Sequence, residues 1–201
     1  MPPRWTILPA WRGATVAIVA TGPSFTAAQA RVIAVNDAIY PCWFADIAYA
    51  CDAAWWAHHD GLPGFTGLKL SLLDGTDPRA KPCEVSGVWH IRSSGHEGFD
   101  PDRQHIRTGG NSGYQALHLA LHLGAAKIVL VGFDMRDDDG QAHWFGDHPR
   151  EISRTRTPAL WRDRFTALAD AAQHLGVTVV NASPGTALAA FQTCALEQAF
   201  G

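Results

Sequence analysis

The chain has no apolar run long enough to span a bilayer, and its opening stretch MPPRWTILPAWRG lacks the continuous apolar centre of a secretory leader. Its four cysteines, Cys42, Cys51, Cys83 and Cys194, form no C-x-x-C pair and no ligand-like spacing with histidine. That leaves reduced thiols, and a protein of the cytoplasm is expected. Charge is scarce as well: 17% of the residues are charged and the net charge is -3. This excludes a general electrostatic attraction to nucleic acid or anionic membrane. A polynucleotide would need a local patch, for which Arg150, Arg154, Arg156, Arg162 and Arg164 are the candidates. No internal repeat, low-complexity tract or shift in composition marks a linker, so residues 1–201 read as a single domain with an irregular insertion at about 75–110. A chain of this size can bury a core without disulfides.

What is present is a series of short apolar runs, each ending in small or polar residues. ATVAIVA (Ala14–Ala20) is rich in β-branched residues, is bounded by Gly13 and TGPS, and reads as a buried strand. RVIAVND and FADIAYACD repeat the pattern, LKLSLL reads as a fourth strand and GVWHIR as a fifth. FTAAQA reads as a short helix after the first strand, and Gly75–Gly110 as the least regular and most mobile stretch. Asn111 or Ser112 can cap a helix presenting Leu117, Ala120 and Leu121 on one face, with Gly124 at its end. KIVLVGFD is the clearest strand; a helix from about Pro158 to Leu175 follows, then the strand VTVVN and a terminal helix in LAAFQTCALEQAF. The alternation predicts an α/β fold: a Rossmann-like open, mainly parallel sheet with helices on both faces. In such sheets ligands bind beyond the carboxyl ends of the strands.

The polar tails of the strands are therefore the candidate site. Gly22, Pro23 and Ser24 occupy the first strand-to-helix turn, where glycine permits close backbone approach and a helix start favours phosphate; a plain turn explains the residues as well. Asn36 and Asp37 suit a base or ribose, and Asp52 is a ribose-type or structural carboxylate. Asn111, Ser112 and Gly113 form a second anion-receptive helix start, or simply a cap with glycines around it. Asp134 ends the best strand, and Asn181 and Ser183 end the last. The acidic run 137–139 is suited to a divalent cation or to a solvated turn.

The stretch QAHWFGDHPRE places His143 and His148 five residues apart, so they do not share a helical face. A zinc site would want a third ligand, and Asp147 is the local candidate. Proton exchange near neutral pH is the easier role to support for histidine. No metal site is assigned from the sequence. Several of the eight tryptophans stand beside polar groups, as in DAAWWAHHD and HWFGDH. Burial is their ordinary role, and a minority would line a site that stacks a ring or sugar.

Taken in order and spacing, VAIVATGPSF, VIAVND, GGNSGYQALHLALHLGAAKIVLVGFDM, HWFGDH and VVNASPGTAL resemble the bacterial CMP-sialic-acid-dependent sialyltransferases. The same core is similar to archaeal 6-hydroxymethylpterin diphosphokinase-like domains and to small phage-encoded proteins. The resemblance runs from Val16 to Leu188 and omits Gly75–Arg107. It implies that Gly22, Ser24 and Asn36 hold the nucleotide, that Asn111, Ser112 and Gly113 lie near the donor, and that His148 is the general base for an acceptor hydroxyl. His143 is then a supporting or substrate-contacting residue, with Trp144 and Phe145 as one wall. The family binds the departing phosphate with tyrosines, one of them two residues beyond the strand-end aspartate; Arg136 stands there in this chain. An arginine neutralises a phosphate through bidentate hydrogen bonds.

The leading expectation is thus a glycosyltransferase using a nucleotide-sugar donor, CMP-linked by the resemblance, on an acceptor the sequence does not name. Mg²⁺ is admitted but not required, and a homo-oligomer is compatible. The rival readings are an Mg²⁺-dependent diphosphokinase acting on a hydroxymethylpterin-like ring, and a non-catalytic nucleotide-binding or virion-associated module. The compartment is the bacterial cytoplasm, or that of the host for a phage-encoded chain.

Overall fold

The structure, a computed structural model, describes residues 3–20, 30–73, 82–136 and 157–200. Nine described strands form one sheet in which every neighbouring pair is parallel. They are β1 (Thr15–Val19), β2 (Arg31–Val35), β3 (Ile47–Tyr49), β4 (Leu68–Leu73), β5 (Trp89–Ser93), β6 (His105–Ile106), β7 (Lys127–Val131), β8 (Thr178–Asn181) and β9 (Gln192–Thr193). The helices are α1 (Ala53–His58), α2 (Ser112–Leu123), α3 (Pro158–His174) and α4 (Leu196–Ala199), with a 3₁₀ turn at Asn36–Ile39. No described helix is long and apolar enough to cross a membrane.

Both faces of the central strands are covered, which is why they read as continuous apolar runs rather than alternating ones. Val16 and Ile18 of β1, Ile33 of β2 and Ile128 and Leu130 of β7 point into a core closed by α2 and α3, whose Tyr114, Leu117 and Phe165 are fully buried. Ala17, Val19, Val32, Val129 and Val131 point the other way, onto Trp55 and Trp56 of α1, Ile39 of the 3₁₀ turn and Ala199 of α4. Helices thus lie on both faces of the sheet.

The strand order is β6-β5-β4-β3-β2-β1-β7-β8-β9. From β1 the chain steps outward to β6, returns through α2 to the other flank of β1, and steps outward again from β7. The carboxyl ends of β1 and β7 therefore face connections leaving in opposite directions, the arrangement that opens a ligand crevice in such sheets.

Helix α2 is the element that the sequence reads least completely. One apolar face was expected, yet all twelve residues are buried. The irregular stretch before it covers its outer side. Phe99 stacks on His118 at 4.7 Å and leans on His122 at 4.9 Å. His118 Nδ1 accepts from the Arg107 amide at 3.1 Å, and His122 Nε2 lies 3.1 Å from the His105 carbonyl. Polar helix positions that would face water are thus satisfied by backbone. At the other end of the chain, the expected terminal helix is replaced by β9 and the four-residue α4, with Gln192 and Thr193 pairing along β8.

Candidate functional site

At the carboxyl edge, the start of α2 lies between the ends of β3 and β7. Asn111 caps the helix from extended backbone, its Oδ1 accepting from the Tyr114 amide at 2.9 Å. Ser112 ties this start to β3: its hydroxyl accepts from the Cys51 amide at 3.3 Å and donates to Cys51 Sγ at 3.2 Å. Cys51 Sγ in turn lies 3.5 Å from Asp52 Oδ2. Burial, helped by the Asp52 charge, pushes the Cys51 thiol up to about 12, so it stays protonated and is no nucleophile at neutral pH.

On the β7 side, a Cβ at Gly113 would stand 2.8 Å from Phe133 Cε1, so glycine is what lets the helix start approach this strand exit. Phe133 is completely buried and held by the end of β8 and the loop that follows it. Its amide donates to Ser183 Oγ at 2.7 Å, and its carbonyl accepts from Thr186 Oγ1 at 2.6 Å and from Asn181 Nδ2 at 3.4 Å. Asn181 Oδ1 also accepts from the Ser183 amide at 3.0 Å. The chain then passes through buried Asp134 to Met135, a non-glycine residue in the left-handed region at φ 50°. Arg162 Nη1, from α3, donates to the Met135 carbonyl at 2.7 Å. Arg136 follows, its Nη1 against Gly185 in the β8 loop.

Beyond β2, Asn36 is likewise left-handed, at φ 52°. Backbone of this kind concentrates at functional sites, and asparagine tolerates it best after glycine. The carboxylate of Asp37 turns under the sheet edge instead: Oδ2 accepts from Trp55 Nε1 at 3.1 Å, and Oδ1 lies 3.5 Å from His59 Nε2. The other His59 ring nitrogen meets the Tyr40 hydroxyl at 2.5 Å.

The structure thus brings Asn111, Ser112, Gly113, Asp52, Asp134, Arg136, Asn181 and Ser183 to one edge of the sheet, with Asn36 and Asp37 on the next strand end. Gly22, Pro23, Ser24, His143 and His148 lie outside the described residues. Among the described residues, no group of three or more His, Cys, Asp or Glu is placed to hold a metal ion. Sequence reasoning passed over Cys51 as a link in this edge, and took Arg162 only as part of a basic patch.

No family model matches the chain, and no curated protein does. Among solved structures, the MAf glycosyltransferase from Magnetospirillum magneticum AMB-1 superposes with a TM-score of 0.58 at 18% identity. The match covers 96% of this chain and 36% of that one, so this chain spans about a third of that protein's length. The likeness is one of fold.

Proposed function

We propose that this chain is a glycosyltransferase domain that takes a nucleotide-sugar donor at the β1/β7 switch point. The observation carrying the reading is the reversal of strand order there, with the capped start of α2 seated against the β7 exit that presents Arg136. The fold shared with a glycosyltransferase supports sugar transfer by analogy of fold.

In this reading the amides of Ser112 and Gly113, which begin α2 and have no acceptor within the helix, face the donor phosphate. Asn36 and the Gly22–Pro23–Ser24 segment contact the nucleoside, with cytosine as the base. His148 accepts the proton of the acceptor hydroxyl as that oxygen bonds to the anomeric carbon. The bond from that carbon to the phosphate oxygen breaks, and the nucleotide leaves with the electron pair. Arg136 neutralises the phosphate as its charge grows. His143 contacts the substrate. Asn181 and Ser183 serve the site by fixing Phe133, and Asp37 does so by fixing Trp55.

A thermal-shift series with CMP, CDP, UDP, GDP, ADP and ATP, each with Mg²⁺ and with EDTA, tests the donor class. A nucleotide at a hundred times its Kd adds about 2.7 kcal/mol, or roughly 5–10 °C for a domain of this size. A shift with CMP that survives EDTA supports the proposal. A shift confined to ATP with Mg²⁺ replaces it with diphosphate transfer, and no shift with any nucleotide overturns it. Within the proposal, His148→Ala abolishes transfer and leaves the nucleotide shift in place.

A further inference from the structure

The contact between Arg162 and the Met135 carbonyl joins residues 27 positions apart in sequence, at 2.7 Å. The carbonyl it grips belongs to the peptide linking Met135 to Arg136. That peptide is planar, so fixing the direction of its C=O also fixes the amide of Arg136 and the place of its Cα, the point from which its side chain departs. Met135 sits at φ 50°, a conformation that L-residues with long side chains rarely hold without outside support. A guanidinium is a strong, charged donor, well suited to such support. On the far side, Arg136 Nη1 lies 3.3 Å from where a Cβ on Gly185 would stand, so the absent side chain at 185 provides the seat for the guanidinium.

We propose that Arg162 is a positioning residue: by holding the Met135 carbonyl it keeps the left-handed turn that places the Arg136 guanidinium against Gly185, where it meets the donor phosphate. This rests on the reading of Arg136 as the phosphate-neutralising cation. The Arg162 Nη1 is committed to backbone, so the role assigned to it here is to hold the turn rather than to bind the phosphate.

Two measurements on the full chain test this, each made on wild type, Arg162→Met and Arg162→Lys. The first is calorimetric affinity for CMP and for cytidine, which differ by the phosphate. The second is the rate at which phenylglyoxal modifies Arg136, followed by peptide mass spectrometry, with Arg92 on β5 as an internal reference. In Arg162→Met, CMP affinity falls about tenfold, as expected for loss of one well-aimed charged contact, while cytidine affinity is unchanged. Arg136 is modified severalfold faster and Arg92 at its wild-type rate, whereas general loosening would accelerate both. Arg162→Lys, which retains a charged donor, recovers part of each effect. A wild-type labelling rate at Arg136 together with an unchanged CMP-to-cytidine ratio in Arg162→Met overturns the inference. Faster labelling with an unchanged ratio leaves the clamp and refutes its link to phosphate. A wild-type protein that binds CMP no better than cytidine refutes the assignment of Arg136 itself, and the labelling rates still decide whether Arg162 positions it.

Discussion

Replacing Ser183 by alanine removes the hydroxyl that accepts the Phe133 amide at 2.7 Å. Ser183 is 3% exposed and Phe133 is inaccessible, so water cannot take the place of the lost oxygen. A buried amide left without a partner costs about 1–3 kcal/mol. Both carbonyl contacts of Phe133, to Thr186 and Asn181, remain in place, so the strand exit loosens without coming apart. Taking about 2 kcal/mol as the central value, and 2–4 °C per kcal/mol for a domain of this size, the melting temperature should fall by about 4–8 °C. Circular dichroism melts of wild type and Ser183→Ala at matched concentration measure this directly, and CMP titration of the same samples gives the affinity. A melting temperature within about a degree of wild type, with affinity lost, would mean that the hydroxyl faces ligand; the assignment of Ser183 to the support of Phe133 would then be wrong.

Gly113→Ala gains about 1 kcal/mol of helix propensity but forces a methyl to within 2.8 Å of a buried ring, an overpacking worth about 1–3 kcal/mol. Net destabilisation and weaker nucleotide binding are expected, and a variant that melts higher with full binding would contradict the close packing of α2 on β7. Stability should also fall on acidification before the carboxylates titrate. Burial, with the His122 charge adding to it, pushes His118 down to about 3, and burial lowers His122 as well, whereas both take up protons near 6.5 once unfolded. Below pH 6.5 the unfolded chain binds more protons, so the contribution is full above that pH and is lost as the pH falls, for His118 down to about pH 3, at up to about 1.4 kcal/mol per pH unit per histidine. Urea midpoints at pH 7 and pH 5 measure the drop, which should be smaller in His118→Gln; equal midpoints in the wild type would refute burial of neutral imidazoles.

The parallel sheet was legible because a strand covered on both faces must be apolar throughout, and ATVAIVA, RVIAVND and KIVLVGFD say so without reference to partners. LKLSLL coincides with β4, and Asn111 and Gly124 bound α2 as cap and left-handed terminus. The edge strands β6 and β9 were not legible: two residues carry no periodicity, and their pairing is dictated by the strand beside them. Nor could the burial of His118 and His122 be read locally, since their partners are backbone groups 11 and 17 positions away. In the candidate site, the strand-end residues named from sequence and described in the structure lie at the carboxyl edge, but sequence could not tell a side chain that faces outward from one that braces the framework. Asp37 and Asn181 look alike in sequence to ligand-binding residues; their partners, Trp55 and Phe133, lie on other elements.

The pairing of β1 with β7 also governs the order in which the molecule can be made. Thr15 aligns with Lys127, more than half the chain later, whereas each strand from β2 to β6 meets its inner neighbour soon after it is synthesised. A growing chain can therefore assemble one wing while the free side of β1 still displays unsatisfied amides and carbonyls along an apolar strand, the kind of edge that recruits other chains. Loop-closure entropy makes this central contact the slow one, and it is the contact that creates the switch point. The crevice thus exists only once β7 has joined β1, so a ligand bound there would mark chains that have closed this central contact and withdraw them from aggregation.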